Sequence, residues 1–536
     1  MILQNKQNMK LTDILSGNYD STEWESKGYK LPQFDIAAVK AKTYAQPTWV
    51  HFGGGNIFRA FPAAILNEAL NTGKYDRGVI VAETFDFEVI DKAYAPYGNL
   101  SLSVSLQSTG TIEKTVIASV TEALKADYAF PDWQRLVDIF RNPSLQMISF
   151  TITEKGYTVA PADLERGLKP VLAMGKVAAL LYERWLAGAL PLTVQSMDNC
   201  SHNGDKVKAG VLAYAKRWAA DGLVPADFPA YLEDETKVTF PWSMIDKITP
   251  RPHEKVKAML AEDGFEDNEY IETEKHTFTA PFVNSEEVQY LVIEDNYTCG
   301  RPPLDLGGAL YTTRETVDKV ETMKVTSCLN PLHTAMSLYG CLLGYTLISA
   351  EMVDPDIRSF IQKIGYIEAM PVVTDPGVLN PYEFIGTVIN RRLPNPFMPD
   401  APQRIAMDTS QKLPIRFGET LKKYVARGLD KDNLVLIPLT LAGYARYLKG
   451  IRDDGTPFEP SPDPLLAELM AIVAPLEVGK PDQDWSCLKK LFSRKDVFAV
   501  DLYEIGLGER IEGMVRELYA APGAVRKTLH KYVVAR

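Results

Sequence analysis

A glycine turn between a short β-prone run and a helical pattern is the feature that most constrains the fold. Residues 48–52 are β-prone, Gly53-Gly-Gly-Asn56 follows, and apolar residues then recur at helical spacing from Phe58 to Leu70. Glycines at Gly53 and Gly55 let the backbone approach a pyrophosphate, whose charge the free N–H groups of a helix start stabilise. The order predicts the first βα unit of a dinucleotide-binding domain. A plain turn is the alternative, because the third glycine of the usual fingerprint is absent.

The next β-prone run ends in an acidic residue. Residues 78–82 are apolar, and Glu83 follows at about the distance where a carboxylate meets the adenosine ribose 2′-OH. Such a carboxylate repels the 2′-phosphate of NADP and therefore favours NAD. Asp86 is a competing candidate, and a solvated glutamate at a strand end is the other alternative. Further β-prone runs at 115–120, 147–153 and 191–195 alternate with helical stretches, which predicts a doubly wound, mostly parallel α/β sheet.

Length and composition narrow the class of protein. At 536 residues the chain exceeds what one hydrophobic core supports, so two large domains are expected. The net charge of −11 disfavours nucleic acid as a partner. The longest apolar run, at 434–448, contains Pro438 and Arg446 and is shorter than the roughly 20 residues of a membrane span, so no membrane partner is expected. Residues 1–17 lack an apolar run of signal-peptide length, and we expect a cytoplasmic protein.

Cysteine and histidine spacing gives no sign of a metal site. The five cysteines are widely separated without a CxxC pair, and the six histidines lack any ligand spacing such as HExxH. Reduced thiols and no bound metal are therefore expected.

Seven segments, taken in order, make the chain similar to the polyol-specific long-chain dehydrogenases, the mannitol dehydrogenase family. They are HFGGGNIFRA at 51–60, TITEKGY at 151–157, SMDNCSHNG at 196–204, IDKITP at 245–250, VIEDNYTCGRP at 292–302, MKVTSCLNPLH at 323–333 and RIAMDTSQKLP at 404–414. The family has a GxGxxxRA turn with arginine in place of the third glycine, which accounts for the missing glycine here. The resemblance implies that NAD is held by Gly53, Gly55, Asn56, Ile57, Arg59 and Glu83. It also implies a Rossmann-like domain over residues 1–284, a mostly α-helical domain over 285–536, and an active site in the cleft between them.

The resemblance assigns the proton transfer of an alcohol–ketone interconversion to a lysine, which Lys324 matches. A lysine serves as acid or base near neutral pH only if its pKa falls toward about 7–8, which desolvation or nearby cations can cause. Asn330 and His333 share a helix face, and with Asn199 they supply oxyanion donors and a group that orients the substrate. A solvated Lys324 and a buried His333 bonded to a carbonyl are the structural alternatives. Glu321, one turn before Lys324, either relays a proton to solvent or pairs with a cation.

The spacing departs from the family pattern at one point. Five residues separate Lys324 from Asn330, whereas the family has four. On a regular helix one extra residue turns Lys324 about 100° away from the Asn330 face. A π-bulge, or a helix that begins after Lys324, would restore the site.

Arg404 and Lys412 match family residues that contact substrate. On a continuous helix they would lie about 80° apart and could reach one ligand, with the arginine as a fork for a carboxylate. Pairing of Arg404 with an acidic side chain is the alternative. We expect a small-molecule partner, a sugar acid or polyol, and favour the interconversion of D-mannonate and D-fructuronate. Alternatives are a mannitol- or arabinitol-type polyol dehydrogenase, a tagaturonate reductase, and a silent NAD-binding sensor that has lost the reaction. The sequence does not predict an oligomeric state.

Overall fold

The computed structural model describes residues 8–536. The first seven residues, part of the segment on which the cytoplasmic expectation rests, lie outside the described residues. The chain forms two compact units, one containing residues up to Gln107 with Thr111–Asp318, and the other containing Ser108–Gly110 with Lys319–Arg536. We call them the N-terminal and C-terminal units.

The N-terminal unit contains every named strand of the described chain. In chain order they are β1 Tyr29–Lys30, β2 Trp49–Phe52, β3 Val79–Glu83, β4 Ser101–Leu106, β5 Ile112–Ile117, β6 Val120–Lys125, β7 Met147–Phe150, β8 Leu192–Ser196, β9 Val238–Thr239, β10 Ser243–Asp246, β11 Ile271–Glu272, β12 Phe278–Thr279, β13 Phe282–Glu286, β14 Tyr290–Glu294 and β15 Leu310–Thr312.

The main sheet has six strands in the order β6-β3-β2-β7-β8-β9, and every pair is parallel. Numbered along the chain this is the order 3-2-1-4-5-6 of a dinucleotide-binding sheet, which confirms the predicted fold class. Alternate residues of β2 enter different hydrophobic clusters, Val50 and Phe52 in one and Trp49 in the other, so both sheet faces are covered. The strand order reverses between β2 and β7, which is where ligands bind in such sheets.

Three smaller sheets complete the strands of this unit. They have the orders β1-β5-β4-β13, β10-β14-β15 and β11-β12. The β-prone run at 115–120, expected as one strand, is divided between β5 and β6, and these strands belong to different sheets. The strand β13 spans the boundary expected near residue 285, and β14 and β15 lie after it, yet all three belong to the N-terminal unit, which ends at Asp318. The predicted limits 1–284 and 285–536 therefore place the boundary too early.

Helices of the N-terminal unit surround these sheets. They are α1 Leu11–Ser16, α2 Ser21–Ser26, α3 Ile36–Ala45, α4 Asn56–Ala60, α5 Pro62–Asn71, α6 Asp132–Arg141, α7 Pro161–Leu164, α8 Ala173–Leu186, α9 Asn203–Ala220, α10 Asp227–Glu233, α11 Glu254–Asp263 and α12 Arg314–Met323, the last of which contains the unit boundary. The helix expected across 58–70 is interrupted at Phe61, whose φ of −133° and ψ of −78° are not helical. Pro62 consequently opens α5 at a position where its missing N–H is harmless.

The C-terminal unit is helical, as expected, and its described residues form no strand beyond an isolated bridge between Ile451 and Pro457. Its helices are α13 Asn330–Leu343, α14 Ile348–Glu351, α15 Pro355–Lys363, α16 Pro381–Thr387, α17 Pro402–Ile405, α18 Thr409–Leu413, α19 Glu419–Ala426, α20 Leu436–Tyr447, α21 Leu466–Val473, α22 Cys487–Phe492, α23 Lys495–Phe498, α24 Gly508–Leu518 and α25 Ala524–Ala535.

Four π-helical segments also belong to the C-terminal unit: Lys324–Cys328, Ile364–Ala369, Val388–Arg392 and Pro414–Gly418. Such segments are rare in proteins overall, and those that occur are often found at functional sites. Within residues 8–536, no helix combines the length and apolarity that a membrane crossing requires.

Candidate active site

The glycine turn follows β2 at the edge where the strand order reverses. Gly53 has φ +106°, and a Cβ there would lie 2.4 Å from the Thr151 carbonyl oxygen, so only glycine fits. Gly55 is the N-cap of α4, and a Cβ added to it would meet nothing within 4 Å. The backbone at Gly55 therefore borders open space, as the approach of a pyrophosphate requires.

Glu83 and Tyr94 hold the middle of this turn. The Glu83 carboxylate accepts the backbone N–H of Gly54 at 2.8 Å and that of Phe85 at 2.9 Å. The Tyr94 hydroxyl donates to the Gly54 carbonyl at 2.8 Å. Burial raises the pKa of Tyr94 well above its usual range, so this hydroxyl remains a donor at neutral pH. Glu83 thus fixes the turn in addition to lining the adjoining cavity.

Asn56 and Arg59, two of the expected cofactor residues, bond within the protein. The Arg59 guanidinium, 1% exposed, donates to the Ala280 carbonyl at 2.8 Å and to the Asn56 side-chain oxygen at 3.0 Å. The Thr279 hydroxyl also donates to that oxygen, at 2.8 Å. These bonds tie α4 to β12 and to the residue that follows it, so both side chains hold the turn in place through contacts inside the protein.

A cavity of about 540 Å³ lies beside the turn. Its lining includes Gly53, Gly55, Glu83 and Asp86, together with Thr151 at the end of β7. Asp86, the alternative ribose contact, accepts the Thr273 hydroxyl at 2.6 Å. The open space at Gly55, the carboxylate at the end of β3 and the cavity volume together fit a dinucleotide.

A second cavity in the N-terminal unit, of about 260 Å³, contains Asn199. Ile57, another expected cofactor residue, lines it with Asp198 and Lys247. The Asp198 carboxylate accepts the N–H groups of Ile152 at 3.0 Å and Thr153 at 2.9 Å, which anchors the loop after β7. Asn199 itself is exposed and lines this cavity beside the anchored Asp198.

Lys247 is a cavity residue that the sequence analysis did not single out. Its ammonium group donates to the Gln289 side chain at 2.7 Å, and desolvation lowers its pKa to about 8. The available signal was its place in the segment IDKITP, one of the seven segments that carry the family resemblance.

In the C-terminal unit, Lys324 is 4% exposed and begins the first π-helical segment. The Leu329 N–H donates to the Lys324 carbonyl at 3.1 Å, a bond that spans five residues. The single extra residue before Asn330 is thus absorbed by a π-bulge, the first of the two expected repairs. Glu321 lies one turn earlier, on α12.

Asn330 and His333 occupy the first turn of α13. Desolvation lowers the pKa of the half-buried His333 to about 3, with further lowering by Arg392, Arg416 and Arg404 against an opposing effect of Asp400. The imidazole is therefore neutral at physiological pH and can both donate and accept one hydrogen bond.

Arg404 and Lys412 do not share a helix as expected. They lie in α17 and α18, which are separated by a turn in which Asp408 has φ +52°. Arg404 forms an ion pair with Asp400, the structural alternative, and Lys412 donates to the Ile405 carbonyl at 3.0 Å. The expectation of two cations about 80° apart on one helix is wrong, because a turn that ends at Asp408 interrupts the helix.

Arg416 is a further residue that the sequence analysis missed. Its guanidinium donates to the Asn330 carbonyl at 3.3 Å and to the Thr334 hydroxyl at 2.6 Å, beside two of the expected catalytic residues. Desolvation lowers its pKa to about 10. An arginine inside the apolar run LPIRFG, four residues after Lys412, was the available signal.

A 3-2-1-4-5-6 parallel sheet with a glycine turn and a carboxylate at the end of its second strand is typical of dinucleotide-dependent dehydrogenases. The family model of the mannitol dehydrogenase Rossmann domain matches residues 47–306, and that of the mannitol dehydrogenase C-terminal domain matches residues 316–518. The chain belongs to the mannitol dehydrogenase family and is a dehydrogenase that acts on CH–OH groups.

Individual relatives cover almost the whole chain. A D-mannonate oxidoreductase of Thermotoga maritima is 51% identical over 528 residues, 96% of this chain and 97% of the relative. A polyol:NADP oxidoreductase of Gluconobacter oxydans is 28% identical and covers 85% of this chain and 89% of its own length. The solved Pseudomonas fluorescens mannitol 2-dehydrogenase, a ternary complex with NAD and D-mannitol, superposes with a TM-score of 0.67 at 24% identity, over 96% of this chain and 99% of that one.

Proposed function

We propose that this dehydrogenase interconverts D-mannonate and D-fructuronate. The observation that carries the proposal is the 51% identity with a D-mannonate oxidoreductase over nearly the full length of both chains. The reaction exchanges a secondary alcohol and a ketone on an open-chain sugar acid. It requires a group that moves the hydroxyl proton, donors for the developing oxyanion, and recognition of a carboxylate.

We propose NAD as the cofactor; when bound, it supplies or accepts the hydride. Gly53, Gly55 and Ile57 would contact it, whereas Asn56 and Arg59 would hold the turn that receives it. The Glu83 carboxylate borders the same cavity, and its charge would repel the 2′-phosphate of NADP. Because a relative is named for NADP, this preference needs a direct measurement.

Lys324 would exchange the proton of the substrate hydroxyl. Asn330 and Asn199 would donate to the oxygen on which negative charge develops. His333, neutral because of burial and neighbouring arginines, would orient that oxygen through a hydrogen bond. Glu321, one turn before Lys324, would pass the proton to solvent.

Carboxylate recognition would fall to Arg404 and Lys412. The ion pair with Asp400 uses the Nε and Nη2 groups of Arg404 and leaves its Nη1 edge for a second anion. Lys412, in α18, would contribute a further N–H donor.

A cytoplasmic reaction agrees with the five free cysteines of the chain. The alternative substrates are D-tagaturonate and neutral ketoses such as D-fructose and xylulose. NADH oxidation measured with each of the four, using purified protein, decides between them. The proposal requires the highest kcat/KM with D-fructuronate. A higher value with D-fructose would favour the polyol dehydrogenase alternative, and NADH binding without any turnover would favour the sensor.

A further inference from the structure

One continuous helix contacts both the π-helical segment that begins at Lys324 and the first turn of α13. It runs through α18, the π-helical segment Pro414–Gly418 and α19, and we call it the bracing helix, residues 409–426. We propose that Arg416 and Thr420 of the bracing helix are positioning residues that fix the register between Lys324 and Asn330. The inference rests on the proposed roles of Lys324 and Asn330 in proton transfer and oxyanion stabilisation.

The junction needs an external support because its own backbone ladder is irregular. Hydrogen bonding changes from the five-residue bond of Leu329 to Lys324 to a four-residue bond of His333 to Leu329, 3.0 Å long. Leu329 itself has φ −129° and ψ −63°, and no side chain caps α13 there. Pro331 has no N–H to contribute. The rotation of α13 against the π-bulge is thus weakly determined by local bonds.

Thr420 holds the Lys324 side of the junction. Its hydroxyl donates to the Thr326 carbonyl at 3.3 Å, within the π-helical segment. Thr420 is 2% exposed. Loss of this donor would leave a buried carbonyl with one partner fewer, which is costly away from water.

Arg416 holds the other side. Its Nη1 group bonds both the Asn330 carbonyl and the Thr334 hydroxyl, and so fixes the first turn of α13 at two points. Arg416 and Thr420 are four residues apart and lie on the same side of the bracing helix. The bracing helix therefore fixes the relative orientation of Lys324 and Asn330, although one extra residue separates them compared with the family spacing.

The charge of Arg416 adds an electrostatic effect. Among residues 8–536, no carboxylate forms an ion pair with its guanidinium, and the surrounding desolvation lowers its pKa to about 10. Its unneutralised charge helps to keep His333 neutral, together with Arg392 and Arg404 and against Asp400. Arg416 thus affects both the position of the first turn of α13 and the protonation state of His333.

The test uses Arg416→Met, which keeps the length of the side chain, and Thr420→Val, which keeps its shape. Arg427→Met and Thr440→Val are matched controls, because each removes a donor to a backbone carbonyl, at Pro371 and Leu436, outside the junction. Thr420→Ser restores the hydroxyl. The measurements are kcat and KM for D-fructuronate, the Kd of NADH, and the isotope effect on kcat with NADH deuterated at the transferred hydrogen.

We expect kcat to fall by about 10–100-fold in Arg416→Met, because displacing a catalytic group by roughly 1 Å can cost a loss of this size. The fall in Thr420→Val should be smaller. The isotope effect on kcat should rise, because the chemical step becomes slower than product release. NADH affinity and the control variants should stay near wild type, and Thr420→Ser should recover most of the loss.

Unchanged kcat and isotope effect in both variants would overturn the proposal. So would a loss confined to KM for sugar acids with neutral ketoses unaffected, since Arg416 would then bind the substrate carboxylate. Amide hydrogen exchange over residues 322–336 tests the brace without turnover, and faster exchange is expected in both variants than in their controls. This readout separates failure of the brace from failure of the proposed function, which would appear as wild-type protein inactive on every ketose and ketouronate.

Discussion

The guanidinium of Arg404 donates two hydrogen bonds of 2.6 Å to the carboxylate of Asp400, one from Nε and one from Nη2. This side-on pair occupies two of the five N–H groups of the arginine and orients the remaining edge. Because the Arg404 side chain is 64% exposed, that edge remains accessible. The pair therefore sets the direction of the arginine without excluding a second carboxylate.

Arg404→Ala should raise KM for D-fructuronate by about 10–100-fold, since a hydrogen bond between charged groups contributes about 1.5–3 kcal/mol. Steady-state kinetics with D-fructuronate and D-fructose measure the effect, and D-fructose should be a poor substrate throughout. Asp400→Asn is the control, because it keeps an acceptor beside Arg404 while removing the competing charge. An unchanged KM for D-fructuronate in Arg404→Ala would show that Arg404 pairs with Asp400 and does not bind the substrate carboxylate.

Lys324→Ala should lower kcat by about 10²–10⁴-fold, the usual contribution of a positioned acid or base. NADH affinity should hardly change, because the glycine turn and its cavity lie in the N-terminal unit. Fluorescence titration with NADH and turnover assays measure the two quantities. Added primary amines should restore part of the rate if only proton transfer is lost. Turnover near wild type would show that the π-bulge does not bring Lys324 to the reacting group.

Glu83→Gln should raise the ratio of kcat/KM with NADPH to that with NADH by about tenfold or more, because one negative charge near the 2′-phosphate is removed. The amide oxygen still accepts the Gly54 N–H, so the turn is preserved better than in Glu83→Ala. Asp86→Asn is measured beside it to compare the two acidic residues. Wild-type protein that prefers NADPH would overturn the assignment of Glu83.

Gly55→Ala should leave thermal stability near wild type yet weaken NADH binding, because the new methyl enters open space at the cofactor cavity. Gly53→Ala should instead lower Tm, since its methyl would meet the Thr151 carbonyl at 2.4 Å in a φ region that alanine avoids. Calorimetry and NADH titration separate these effects. Equal NADH affinity in Gly55→Ala and wild type would place the pyrophosphate elsewhere.

Glu351→Gln should stabilise the protein at pH 8. Glu351 is fully buried in α14, and its carboxyl oxygens bond to no described residue. Burial raises the pKa of this carboxyl well above its usual value of 4.5, with smaller effects from Asp354 and Asp400. Above the pKa that Glu351 has in the unfolded chain, folding must therefore take up a proton. The free-energy cost of this uptake is absent below that pKa and grows as pH rises toward the pKa of Glu351 in the folded protein. The gain in Tm, about 2–4 °C per kcal/mol, should shrink between pH 8 and pH 5. A constant difference across that range would contradict a protonated Glu351.

The linear order of residues determined the class of fold and the approximate positions of its motifs. The run Trp49–Phe52, the glycines at 53–55 and Glu83 at the end of β3 are local signals, because a strand, a tight turn and a helix start each depend on residues close in sequence. The family resemblance, rather than local signals, pointed to Lys324, Asn330 and His333, and the departure from the family spacing suggested the π-bulge as one way to absorb the extra residue.

Contacts between distant residues decided the remainder. The sequence could not show that Arg59 would be buried against Ala280, or that Asp400 would take the guanidinium of Arg404, since these bonds depend on packing. The run at 115–120 gave no sign of its division between two sheets, because β propensity does not specify a strand's partners. The bond from Thr420 to Thr326 joins residues 94 positions apart, so only the tertiary structure could reveal the brace that holds Lys324 in register with Asn330.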